Sequence, residues 1–175
     1  MPQARTAPER AAAPRNGNGG PCPKCGKHHQ AEGAPAQPAS KGVGEPVPEI
    51  PLRDLSGEEI SLKKDFKAEE TLVLFWNPGC SFCQKMLPDL KEWEAHPPEK
   101  APKLLLVSAG SEEANEEMVL SSPVGLDQEF AVGRSFGASG TPSAVLVDAK
   151  GKIASEVAVG APAVLQLAKA RRTEA

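Results

Sequence analysis

An α/β domain with a mixed central sheet flanked by helices is what this sequence predicts, and three patterns predict it. Two short runs, Thr71–Trp76 and Lys103–Ser108, have the continuous apolar character of strands buried on both faces. Helical periodicity follows the first of them. A third run over 143–148 joins the segment 152–159 through Ala149-Lys150-Gly151, which reads as a hairpin. The order strand, helix, strand, helix, strand, strand, helix requires both parallel and antiparallel neighbours in one sheet.

Residues 1–45 stand apart. Residues 1–49 hold nine of the 18 prolines and seven of the 16 glycines, and contain no Leu, Ile or Phe. Such a segment buries too little apolar surface to offset its ordering entropy. The expectation is a disordered tail over 1–45 and a folded domain over 46–175, the latter rich in Leu and Val and long enough for a core.

The domain opens with EIPLRDLSGEEISL at 49–62, whose apolar positions flank Ser56-Gly57 and predict an N-terminal β-hairpin extension. After the first buried run, Asn77-Pro78-Gly79 breaks the strand. A helix pattern starts at Cys80, with Phe82, Met86, Leu90 and Trp93 as its apolar stripe and Pro88 as a bend. Segment 111–120 is acidic and helical, an insertion between strands. Val124–Leu126 is a short strand, and 128–136 a helix stopped by Gly137. The closing helix, 161–171, ends in arginines, which suits the negative end of its dipole.

Charge and hydropathy exclude several functions. The net charge is −3 and no block of five or more Lys/Arg occurs, so nucleic acid is not the expected partner. No apolar run reaches the roughly 18–20 residues of a membrane span. Residues 1–20 carry arginines without the apolar stretch of a secretory signal. As written the chain is expected in the cytoplasm, or outside it if excised from a longer anchored chain.

The four cysteines form two C-x-x-C pairs, Cys22/Cys25 and Cys80/Cys83. Structural disulfides seldom close loops this short, so redox chemistry or metal binding is the better reading of each. Cys80 stands where a strand ends and a helix begins. Free N–H groups and the positive dipole end there favour a thiolate, the attacking species in disulfide exchange. Cys83, one turn on, is placed to resolve a mixed disulfide at Cys80. The competing reading, two inert buried cysteines, does not account for the strand, Pro-Gly turn and helix around the pair.

Gly140-Thr141-Pro142 precedes the strand at 143–148. Proline is tolerated at a strand's first residue in general. Together with a C-x-x-C some 60 residues upstream the signal becomes specific. LVLFWNPGCSFCQKMLP followed by GASGTPSAVLVDAKGK resembles the thioredoxin superfamily, and within it the redoxin branch of TlpA-, ResA- and MauD-like proteins related to the AhpC/TSA peroxiredoxins. The resemblance covers roughly 43–171. It implies a thioredoxin-like fold and a thiol–disulfide oxidoreductase with Cys80 as nucleophile, Cys83 as resolver and a cis Thr141–Pro142 bond. It also places Trp76 beside the site, a role compatible with core filling, and has the Thr141 backbone pair with an extended substrate. No bound cofactor is implied. The partners are a protein disulfide and an upstream dithiol donor, and the protein is expected to be a monomer.

This sequence departs from the resemblance in two places. Leu74 stands where thioredoxins carry a buried acid, and Met86 where ResA-like proteins carry a glutamate, so the proton relay for Cys83 is unassigned. The Ser81-Phe82 pair between the cysteines leaves the direction of electron flow open.

Smaller signals accompany these. Cys22, Cys25 and His28, with His29 adjacent, offer zinc a partial N/S ligand set. Incidental thiols in a tail and an auxiliary redox pair are the alternatives. His96 reads as a surface residue, Arg134 as uncommitted, and Glu112, Glu113, Glu116 and Glu117 as a solvated helix face that biases partner choice. Two other functions compete with disulfide exchange. A thiol peroxidase wants P-x-x-x-T-x-x-C, but Asn77 occupies the threonine position. A metallochaperone of the Sco type wants C-x-x-x-C, one residue longer than the spacing here.

Overall fold

The computed structural model describes residues 41–65 and 68–169. Backbone hydrogen bonds tie the first of these to the domain: Lys41 N–H donates to Ser135 O at 3.0 Å, and Val47 N–H to Gly151 O at 3.0 Å.

The hairpin comprises β1 (Leu52–Arg53) and β2 (Glu59–Ile60), antiparallel with Leu52 opposite Ile60. It is shorter than the apolar pattern suggests. The Asp54 carboxylate accepts from the Ser56 and Glu58 N–H groups at 2.8 and 2.9 Å, so a side chain replaces ladder carbonyls near the turn. Gly57, at φ 84°, supplies the left-handed residue.

The central strands are β3 (Thr71–Trp76) and β4 (Lys103–Ser108), parallel in register from Thr71–Lys103 to Trp76–Ser108. Next come β5 (Val124–Leu126), parallel to β4, and β6 (Ser143–Val147), antiparallel to β3. The last is β7 (Ala158–Val159), antiparallel to β6. The sheet order is β2-β1-β5-β4-β3-β6-β7. This is the mixed α/β architecture of thioredoxin-like proteins, with the hairpin appended to one edge.

Period-two alternation divides the core. Val73, Phe75, Leu105, Val107, Val145 and Val147 face one side, where Phe136, Val132, Leu52 and Ile60 cover them. There the Phe75 ring meets Phe130 edge-on at 6.1 Å. Leu72, Leu74, Trp76, Leu104 and Leu106 face the other side, under α1 (Ser81–Ala95) and α4 (Ala161–Lys169). Residues 170 and 171 of the expected closing helix lie outside the described residues.

Four sequence expectations need correction. Phe82 does not belong to the stripe of α1: it is 66% exposed, and Cys83, Met86, Leu90 and Trp93 form the buried face instead. Shifting the stripe by one position to begin at Cys83 keeps the spacing helical and turns Phe82 to solvent. α2 (Glu112–Glu116) is shorter than 111–120; Ser111 caps it and Val119, at φ 51°, departs from helical geometry. α3 (Ala131–Ser135) starts after 128 because the Asp127 carboxylate captures the Ala131 and Val132 N–H groups at 2.8 and 2.9 Å, and Phe130 adopts φ 56°. Segment 152–159 is not one strand. Ala154 N–H still donates to Leu146 O at 2.7 Å, but Ser155 Oγ accepts the Leu146 N–H at 2.9 Å, so the chain leaves the ladder after Ala154 and returns at β7.

Candidate active site

Three segments converge at the carboxyl ends of β3 and β4. Because β6 runs antiparallel to β3, with Ser143 opposite Phe75, the loop before β6 lies beside the turn after β3. Because β4 runs parallel to β3, the loop after β4 lies there too, and Ala109 N–H donates to Trp76 O at 2.9 Å. A crevice outside the carboxyl ends of parallel strands is the general location of α/β sites.

The turn itself is built by Asn77. Its side-chain oxygen accepts from Gly79 N–H at 2.8 Å, and its carbonyl from Cys80 N–H at 3.0 Å. Cys80 then takes an extended conformation (φ −82°, ψ 123°) as the N-cap of α1, and its carbonyl accepts the first helical bond, from Gln84 N–H at 3.0 Å. The Gln84 side chain returns to Pro78 O at 2.9 Å, locking turn to helix. α1 continues through Pro88 as one helix.

Both cysteines are free thiols, and they differ in environment. Cys80 is partly exposed and donates to the Thr141 carbonyl at 3.4 Å. Burial acts to raise its pKa but is outweighed: the Cys83 amide, the Thr141 hydroxyl, the Phe82 amide and the Cys83 thiol together hold it below the ordinary thiol range. No full cap hydrogen bond reaches its sulfur, so these donors act by proximity. Cys83 is wholly buried with Leu74, Trp76 and Met86. Burial pushes its pKa up to about 11, and the Cys80 charge and hydrogen bond add to the rise, against the Asn77 amide and the Thr141 hydroxyl.

The Thr141–Pro142 peptide bond is cis, and Pro142 is buried with its carbonyl accepting from Gly160 N–H at 2.9 Å. Trp76 is fully buried, its indole N–H donating to Met118 Sδ at 2.9 Å. The structure therefore brings Cys80, Cys83, Thr141, Pro142 and Trp76 into one place. Leu74 and Met86, the positions at which the resemblance implies acids, are both buried in the apolar cluster with Cys83.

A family model, AhpC/TSA, matches residues 43–156. The chain belongs to the AhpC/TSA family. Among curated AhpC/TSA-like relatives, the thiol-disulfide oxidoreductase ResA of Bacillus thuringiensis subsp. konkukian is 27% identical over 120 residues, 66% of this chain and 69% of that one. The sporulation thiol-disulfide oxidoreductase A of Bacillus subtilis is 27% identical over 129 residues, 66% of this chain and 76% of that one. Among solved structures, the thioredoxin domain of a thiol-disulfide oxidoreductase from Bacteroides vulgatus superposes with a TM-score of 0.58 at 30% identity, covering 73% of this chain and 96% of that one. Within the AhpC/TSA family this chain is accordingly a thiol–disulfide oxidoreductase of thioredoxin-like fold.

The remaining sequence signals fall elsewhere. His96 caps the opposite end of α1 from Cys80, exposed and paired with Glu92 at 3.1 Å. Arg134 is exposed on α3. Cys22, Cys25 and His28 lie outside the described residues. Among the described residues no group of three or more His, Cys, Asp or Glu could hold a metal ion, and no helix is long and apolar enough to cross a membrane.

Two contributors escaped sequence reasoning. The Thr141 hydroxyl acts on both sulfurs, whereas the sequence pointed only to its backbone. Met118, in the acidic insertion, anchors Trp76. The apolar run Met118-Val119-Leu120 closing an acidic segment was the available signal.

Proposed function

We propose that Cys80 and Cys83 carry out dithiol–disulfide exchange with protein disulfides, Cys80 attacking and Cys83 resolving. One observation supports this reading above the others: the sulfur that solvent reaches has the lowered pKa, and the sulfur behind it is buried and protonated. In the reducing direction, the Cys80 thiolate attacks a substrate sulfur. One S–S bond breaks and one forms, leaving a mixed disulfide and a substrate thiolate. Cys83 must then lose its proton. Bonding at Cys80 removes the charge and hydrogen bond that helped to raise the Cys83 pKa, so Cys83 becomes more acidic at the moment it is needed.

With Leu74 and Met86 in place of carboxylates, the departing substrate thiolate is the base that receives this proton. The Cys83 thiolate attacks Cys80 Sγ, closes the Cys80–Cys83 disulfide and releases the second substrate sulfur, which takes a proton from water. Two electrons pass to the substrate, and a second dithiol protein restores the pair. Thr141 and Pro142 form the rim against which an extended substrate lies, and Trp76 backs the nucleophile's turn.

The test is trapping. Cys83→Ser, expressed as the full chain, accumulates mixed disulfides through Cys80 that dithiothreitol releases. Cys80→Ser forms none and does not reduce insulin. Insulin reduction by Cys80→Ser at the wild-type rate rejects the assignment.

A further inference from the structure

A groove of about 330 Å³ opens beside the nucleophile's turn, between α1 and α2. Pro78 and Gly79, the two residues before Cys80, form its near end. Leu87 and Met118 form its apolar floor with Trp76 buried beneath, Gln84 stands on the α1 side, and Glu117 stands on the α2 side. The exchange reaction leaves this groove unused.

The fold holds its two walls together closely. Gly110, in the loop between β4 and α2, packs so tightly on the active-site turn that a Cβ there would lie 2.4 Å from Pro78 Cδ. The indole of Trp76 is bonded across to Met118. α2 is thereby fixed against the turn that bears Cys80, and a chain bound in the groove would meet that turn at Pro78 and Gly79.

The carboxylate on the rim of the groove is Glu117, which is exposed and not salt-bridged to a described residue. A carboxylate beside an apolar floor matches a segment with an apolar side chain and a cation, and it repels an acidic one.

Resting on the exchange chemistry above, we propose that this groove binds the stretch of a protein disulfide flanking its reacting cysteine, and selects one that carries an apolar residue next to a lysine or arginine. Glu117 is the specificity-determining residue, because it is the carboxylate that lines the groove.

Two synthetic peptides test this, each with one intramolecular disulfide and identical except for Leu-Lys or Leu-Glu beside the reacting cysteine. The pre-reduced full chain is mixed with each, and single-turnover reduction is followed by mass spectrometry. The neutral bis(2-hydroxyethyl) disulfide, too small to fill the groove, reports the cysteine chemistry alone. The expected result is about fivefold faster reduction of the Leu-Lys peptide at low ionic strength, falling to within about twofold at ~0.5 M salt. Glu117→Lys, at an exposed position, reverses the order of the two peptides. Equal rates for both peptides, or a preference that survives both salt and Glu117→Lys, overturn the groove while leaving the exchange reading intact. Failure of the wild type to reduce the small disulfide as well overturns both.

Discussion

Cys80 and Thr141 are 61 residues apart in sequence, and the Cys80 thiol donates to the Thr141 carbonyl at 3.4 Å. That bond exists only while the sulfur holds its proton. Once the thiolate forms, the carbonyl has nothing to accept, and the Thr141 hydroxyl becomes one of the donors that stabilise the charge. One residue thus offers an acceptor to the thiol and a donor to the thiolate.

Thr141→Val keeps the shape and removes the donor. The Cys80 pKa is expected to rise, and its reaction with iodoacetamide at pH 7 to slow by up to about tenfold as thiolate is lost. The pH profile of alkylation in the Cys83→Ser background measures it. An unchanged profile shows that the hydroxyl has no part in holding the charge.

The two sulfurs should separate by pH. Iodoacetamide at neutral pH is expected to label Cys80 and spare Cys83, as peptide mapping can show. Stability follows with opposite signs. The lowered Cys80 pKa adds stability as pH rises toward 9.0, the value of the unfolded thiol. The Cys83 contribution is fully present below pH 9.0 and is lost as pH rises from there through about 11, because the unfolded chain gives up its proton first. That loss is on the order of 3 kcal/mol. Urea titrations of the reduced protein should show it as a decline across this window that Cys83→Ala lacks.

Gly110→Ala places a methyl group 2.4 and 2.7 Å from the Pro78 ring carbons, so the active-site turn must shift. A loss of about 1–3 kcal/mol is expected, with slower reduction of insulin. Gly140→Ala, where nothing lies within 4 Å of the new methyl and φ is not positive, is the matched control for stability. It is expected to change the unfolding free energy by no more than about 0.5 kcal/mol. Equal costs at the two positions contradict the packing described.

Met86→Ala removes a side chain that is 1% exposed, and is expected to cost about 2–5 kcal/mol. Phe82→Ala removes one that is 66% exposed, and is expected to cost no more than about 0.5 kcal/mol. Chemical denaturation of both variants distinguishes the stripe that begins at Cys83 from one that begins at Phe82.

The central strands were legible residue by residue. Thr71–Trp76, Lys103–Ser108 and Val124–Leu126 lie where their apolar runs predict, because a strand buried on both faces admits few polar residues. The edges were less legible. At Asp54, Asp127 and Ser155 a polar side chain takes a hydrogen bond that the backbone pattern assigns to a strand or an earlier helical turn. Composition does not reveal which serine or aspartate will do this, since the same residues serve equally as solvated surface.

By itself, the sequence determined that a C-x-x-C begins a helix after a buried strand and that a Thr-Pro begins another strand. Those are local facts, set by hydrophobic periodicity and by what proline and glycine permit. Only the tertiary structure decided that the Thr141 hydroxyl serves both sulfurs, that Met118 anchors Trp76, and that Cys83 rather than Phe82 faces the core. Each depends on which strands are neighbours and how closely two loops approach, and burial, which sets the difference between the two thiols, exists only once those long-range contacts have formed.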